Sequence, residues 1–489
     1  MKSLKGVYLV LYCLLFSFCV IKEVRIESDD RRDGGTTEDI LDVEDVALED
    51  SGEDIKLDEL EDTNDREAVD DMISSSDDIE EDNLEEDTLP EERNCWNMIY
   101  GIGENEQVYS ILPAKDNGYF IIVGGSDGPP NWIIKIDEEG FPIWDLIIWE
   151  GFLFKGIVTE EGDLIVTGFN VVGSWDIWVL KFSKDDGELI WEQAYDFGGD
   201  EEGYDIEASG NGEFIVVGRG PHGSLVMKLD RNGNIIWLHE YGEAEGYASQ
   251  VKVLQDGSII VARVEDYENT YIMKLDRNGN LIWDIGIEEI DNRGIKGIVV
   301  SDDGNIIVAG ITYSSFTGDD IWIAKLDQRN GNIIWSNILG DENDETVYDM
   351  KRINDGSIII VGNKSFKWTE NPEDEDILVM KVTQDGSLIW SKVFGGGHDD
   401  GGWSVTATPD NGFIVAGYTT SKDIDRVPED LDALIIKLDE DASCCFPNDH
   451  RECIGDSIFW YNLCAERGGF IERCEGDNVE CVGGYCKEY

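Results

Sequence analysis

Basic residues are scarce in this chain of 489 residues. Lys and Arg number 38 against 106 Asp and Glu, giving a formal net charge of −68 and a pI of about 4.1. Such a surface repels phosphate backbones, which argues against nucleic acid as a partner and points to cations, basic proteins and ions such as Ca²⁺. Solubility, or life in a salty medium, is the plainer reading of the same charge. Histidine is nearly absent: His222, His239, His398 and His450 are the only four, and none sits in a metal motif. His239-Glu240 starts like H-E-x-x-H, but Glu243 stands where the second His belongs. No EF-hand loop, P-loop or G-x-S-x-G elbow occurs. The chain also lacks an apolar run long enough to span a bilayer. The longest, Val7 to Ile21 behind Lys2 and Lys5, suits the apolar part of an export signal. Residues 1–24 are therefore expected to be a signal peptide or an anchor, with cleavage and anchoring both open because no A-x-A site follows.

Residues 25–94 lack aromatics altogether, and from 27 to 94 hold 31 Asp or Glu against 5 Lys or Arg. A segment this polar cannot bury enough apolar surface to offset ordering, so a disordered acidic spacer is expected.

What is abundant is repetition. An apolar pair followed by Trp recurs at Trp144, Trp191, Trp237, Trp283, Trp335 and Trp390. Nine or ten residues before each stands a Lys in an apolar run: Lys135, Lys181, Lys228, Lys274, Lys325 and Lys381. A seventh, Lys437, has no Trp after it, while Trp96 has no Lys before it. The two read as halves of one repeat, as a circular array closed by an N-terminal strand requires. A short turn ending in Gly118, Gly162, Gly212, Gly257, Gly304, Gly356 or Gly412 precedes an Ile/Val run in every unit. Four strands per unit, A to D, with DG and NG hairpin turns between A and B and between C and D, imply an all-β, seven-bladed propeller over residues 95–443. The continuous apolar run of strand B suits a strand buried on both faces. The repeated Lys is expected to be structural, its stem on the Trp of strand D and its ammonium on an acidic neighbour.

The segments FGGGHDDGGWSVTATPDNGFIVAGYTTS, DDIWIAKLDQRNGNIIWSNILG and ILVMKVTQDGSLIWSKVFGG resemble the bacterial secreted β-propeller repeat family, within the quinoprotein-like propellers. That resemblance implies an exported or surface protein and is silent on activity. AKLDQRNGNIIWS also resembles the repeat of pyrroloquinoline-quinone dehydrogenases, but those use eight blades and a vicinal Cys pair over the cofactor. Here Cys444-Cys445 lies beyond the last strand. SKDDGELIW approaches the sialidase Asp box with its Trp one residue late.

On a propeller the B–C and D–A connections share one face, and here they are the long, variable ones, where binding usually lives. They carry Asp200, Glu201, Glu202, Asp341, Glu342, Asp344, Glu345, Asp399 and Asp400. A ring of carboxylates would favour a hard cation, so Ca²⁺ is the candidate metal there. No other cofactor is expected.

Eight cysteines follow the leader. Cys95 adjoins the closing Trp96, and Cys444, Cys445, Cys453, Cys464, Cys474, Cys481 and Cys486 fill residues 444–489. Their even number in an exported chain implies four disulfides and a small stapled module. Cys95 is expected to bond Cys444 or Cys445, locking the last blade. The favoured reading is a monomeric, exported, non-enzymatic binding or adhesion scaffold for a protein or glycan ligand, with no membrane insertion of the propeller. The alternatives are an exported enzyme, either a quinoprotein-like dehydrogenase or a glycan hydrolase, and a purely structural surface repeat protein.

Overall fold

The computed structural model describes residues 95–443, apart from 102–104, 126–127, 173, 243–245, 266–268, 291–292, 315–316, 367–374, 396–398 and 421–430. Beyond these it describes, as backbone only, the strands Val7–Leu14 and Phe18–Arg25 and five strands between His450 and Glu488. The signal and acidic-spacer expectations otherwise fall outside the described residues, as do Cys444 and Cys445. No helix occurs among the described residues.

Residues 95–443 form seven antiparallel meanders, each ordered A–B–C–D. Blades 1 to 6 cover 106–148, 152–195, 202–241, 247–287, 295–339 and 344–394. Blade 7 takes strands A to C from Asp400–Ala407, Phe413–Thr419 and Asp432–Leu438, and its fourth strand is Trp96–Tyr100. Trp96 stands opposite Lys437 and Tyr100 opposite Ala433. The chain therefore closes its ring with its own N-terminal strand.

The unbroken apolar character of strand B follows from where its two faces point. In blade 1, Ile121 and Val123 join a core shared with Ile414 and Ile435 of blade 7. Phe120 and Ile122 join one shared with Leu164 and Leu180 of blade 2. Seven such cores lie one between each pair of neighbouring blades. Neither face of a B strand meets water, so alternation would be destabilising.

The Lys and Trp of each unit face one another across strands C and D: Lys135 with Trp144, Lys181 with Trp191, Lys228 with Trp237, Lys274 with Trp283, Lys325 with Trp335, Lys381 with Trp390 and Lys437 with Trp96. Each ammonium meets a carboxylate at its own blade's A–B turn. Lys135 pairs with Asp116. Lys181, Lys228, Lys274, Lys325, Lys381 and Lys437 pair with Asp163, Glu213, Asp256, Asp303, Asp355 and Asp410 at 2.8–4.0 Å. Several also reach the next blade. Lys135 Nζ and Trp144 Nε1 both donate to the Lys184 carbonyl, at 2.8 and 3.2 Å. Lys274 and Trp283 share the Gln328 carbonyl, each at 3.1 Å. Across the closure, Trp96 Nε1 donates to the Glu138 carbonyl at 3.0 Å. The C–D turn that receives these bonds is pressed onto the preceding Trp. Gly386 takes a left-handed φ of +81°, and a Cβ there would lie 2.5 Å from the Trp335 ring, so only glycine fits.

Candidate functional site at the channel mouth

Strand A is the innermost strand and carries a β-bulge just after the D–A loop. Register shifts fall between Val108 and Ser110, Leu153 and Lys155, Gly203 and Asp205, Ala248 and Gln250, Ile295 and Gly297, and Gly402 and Ser404. Blade 6 interrupts strand A at the same place, between Asp344–Glu345 and Asp349–Arg352. A bulge re-aims one side chain. The residues so placed are Tyr109, Phe154, Tyr204, Ser249, Lys296, Tyr348 and Trp403, all half-buried.

Five of the seven are aromatic, and they belong to consecutive blades 6, 7, 1, 2 and 3. Neighbouring rings touch: Tyr348 stacks on Trp403 at 4.6 Å, and Trp403 meets Tyr109 edge-on at 5.3 Å. Tyr109 meets Phe154 at 5.7 Å, Phe154 meets Tyr204 at 5.9 Å, and Tyr204 meets Tyr247 of blade 4 at 5.4 Å. The result is an aromatic arc around the loop-side end of the channel, open where Ser249 and Lys296 stand. Burial pushes the Tyr109, Tyr204 and Tyr348 hydroxyls upward, Tyr204 also beside the Glu202 carboxylate and Tyr348 beside Glu375. They stay protonated donors at neutral pH. The Trp403 indole N–H is buried and has no hydrogen-bond partner among the described residues.

One residue deeper, the channel turns polar. Asp205 Oδ2 accepts the Val251 N–H of the next blade at 2.8 Å. Asp349 Oδ2 accepts from Ser404 Oγ at 3.0 Å and from the Val405 N–H at 3.2 Å. Ser404 Oγ in turn accepts the Ile111 N–H at 3.2 Å. These groups, with Lys155, Lys252, Lys351 and Glu207, line a cavity of about 480 Å³. The equivalent carboxyls Asp205 and Asp349 are driven apart. Burial raises Asp205 to about 6, and the Lys155 charge only partly offsets it. Burial also pushes Asp349 upward, but the Lys155 and Lys351 ammonium groups outweigh it and hold Asp349 below the ordinary range. Because Asp205 binds its proton more tightly folded than unfolded, the native state holds the extra proton between pH about 4 and about 6. Its contribution to stability is therefore present below that window and falls as pH rises through it, by on the order of 2–3 kcal/mol. Asp205→Asn keeps an acceptor for Val251 and never ionises. Chemical denaturation at pH 4 and pH 7 is expected to show this variant more stable than the parent at pH 7 only. Lower stability at pH 7 would contradict the assignment.

The acidic loop residues do not form one ring. They sit at three separate blade junctions, and most hold the loops in place. Asp200 Oδ1 accepts the Trp175 N–H at 3.4 Å, Asp344 Oδ1 the Asp319 N–H at 2.8 Å, and Asp399 Oδ1 the Glu375 N–H at 3.2 Å. Asn105 does the same for Leu431 at 3.2 Å. Each therefore caps the start of the preceding blade's strand C. The residue that follows each cap, Glu201, Glu345, Asp400 or Glu106, is buried. Glu202 accepts the Tyr204 hydroxyl at 2.7 Å and faces Arg219 at 3.5 Å. Asp341 and Glu345 share Lys364, at 2.5 and 2.9 Å. Glu342 is exposed at a loop tip. Cys95 packs on the blade 7 core and is disulfide-bonded; every other cysteine side chain lies outside the described residues. The aromatic arc was open to sequence reasoning, since QVYSILP, FLFKGIV, GYDIEAS, TVYDMKR and GWSVTAT all place an aromatic residue at the same point of strand A.

No known family's profile and no curated protein matches the chain. Among solved structures it is similar to that of the Dos1 propeller, at 10% identity and a TM-score of 0.44, over 68% of this chain and 77% of the other.

Proposed function

We propose that this chain is an exported, non-enzymatic binding module that receives a basic protein segment at the loop-side mouth of its propeller. The aromatic arc from Tyr348 to Tyr204 is the observation that supports this reading. Half-exposed rings in mutual contact offer π faces to a cation, and carboxylates of Glu202 and Glu375 stand beside Tyr204 and Tyr348. Aromatic faces beside fixed negative charge suit Lys and Arg side chains.

An oligolysine peptide is the probe, with a neutral oligosaccharide panel beside it. The peptide is expected to bind with salt-sensitive affinity. Trp403→Ala is expected to weaken it about tenfold or more while leaving the thermal transition cooperative. Binding of a neutral glycan in place of the peptide would overturn the ligand class. Peptide binding untouched by Trp403→Ala would overturn the site.

A further inference from the structure

The junction between blades 2 and 3 holds a buried, uncompensated carboxylate, and we infer that Asp176, Asp196 and Glu201 together bind a hard divalent cation, of which Ca²⁺ fits best. This site is separate from the channel mouth and does not rest on the function proposed for it.

One carboxylate oxygen from each of the three residues lies within 4.8 Å of the other two. Glu201 is fully buried, and its Oε2 has no hydrogen-bond partner among the described residues. The remaining oxygens are engaged locally. Glu201 Oε1 accepts the Gly199 N–H at 2.7 Å, Asp196 Oδ1 the Gly198 N–H at 2.8 Å, and Asp176 Oδ1 the Ser174 hydroxyl at 2.8 Å. Each residue thus keeps one oxygen for an ion.

The propeller contains its own control at the junction of blades 5 and 6. Glu345 there occupies the place of Glu201, six residues after the end of the preceding strand D, and is equally buried. Asp320 occupies the place of Asp176, five residues before the repeated Lys. Two positions differ. Gly340 stands where blade 2 has Asp196, so one carboxylate is missing. Lys364 stands opposite Glu345, and its ammonium lies 2.9 Å from that carboxylate. The same place on blade 3, one residue beyond the pairing of Glu202 with Arg219, is Gly220. The junction of blades 2 and 3 therefore carries one more acid than that of blades 5 and 6 and lacks the lysine that pairs with the buried glutamate there. A buried carboxylate needs a positive partner. Three oxygen donors with no nitrogen or sulfur suit Ca²⁺, which accepts irregular geometry and completes its shell with carbonyls and water.

Calorimetric and thermal-shift titration of the full chain with CaCl2 tests this, with Tb³⁺ luminescence sensitised by tryptophan as a second readout. Residues 25–94 supply a weak background common to all variants. The parent is expected to show one site above that background and a raised melting temperature. Glu201→Gln should lose the site and, because it removes a buried charge, melt higher than the parent without metal. Asp196→Gly, which installs the residue found at blade 5, should weaken binding about tenfold or more. A merely structural Glu201 would make Glu201→Gln melt lower without metal. That outcome, an unchanged Ca²⁺ titration in Glu201→Gln, or a parent with no site above background would each overturn the assignment.

Discussion

A chain that begins at residue 101 is expected to lose the cooperative unfolding transition of the propeller, whereas one that begins at residue 93 is expected to melt like the full chain. The difference is eight residues, and five of them are the strand Trp96–Tyr100. Without it, strand C of blade 7 exposes an unpaired edge from Ala433 to Lys437. The core between blades 7 and 1 loses Trp96 and Tyr100, which pack against it. The Tyr100 hydroxyl bond to the Gly140 carbonyl and the Trp96 indole bond to Glu138 disappear with them. Both rings are partly buried, so each contributes less than the ~3–5 kcal/mol of a fully buried aromatic, but the losses combine and an open sheet edge adds an aggregation hazard. Circular dichroism melts of the two truncations decide. A cooperative, unshifted melt for the shorter chain would show that the ring does not depend on this strand. We propose that the Cys95 disulfide, to Cys444 or Cys445, secures the same strand covalently.

Lys381→Met is expected to lower stability by about 2–3 kcal/mol, and Asp355→Asn in the same chain to restore part of the loss. Methionine keeps the apolar stem but cannot serve the groups that the ammonium holds. Those are Asp355 at 2.9 Å and the Glu440 carbonyl of the next blade, also at 2.9 Å. Lys381 is buried, so the abandoned carboxylate and carbonyl would regain water only through the turn. Asp355 is partly exposed, which keeps the loss below that of a fully buried pair. Denaturant midpoints of the two single variants and the double variant provide the measurement. Additive losses would mean that Lys381 and Asp355 do not act on one another.

The ring was legible because its landmarks are periodic. Trp96 and Lys437 could be matched across the whole chain, since each lacked what the other had. Other features hid behind the same pattern. The apolar pairs before each Trp marked the repeat but are not core: Leu189, Ile190, Leu281, Ile282, Leu388 and Ile389 are 47–52% exposed on the outer strand. Composition alone does not distinguish the first turn of an edge strand from an interior one. The acidic loops read as free carboxylates, but Asp200, Asp344 and Asp399 are occupied as caps, a role set by which N–H the fold brings within reach. Asp176 and Asp196 attract no notice in the sequence because they lie on different strands of blade 2 and beyond it. Only the turn of the D–A loop brings them to Glu201.

The mouth of the channel carries the functional account, and the indole N–H of Trp403 is its most direct reporter. Its resonance can be assigned by comparing ¹⁵N-indole spectra of the parent and Trp403→Phe. Titration with the oligolysine peptide is expected to shift that resonance, as a cation placed over the indole ring does, while the indole signals of the outer-strand tryptophans stay in place. Peptide binding that leaves the Trp403 resonance where it was would contradict the account.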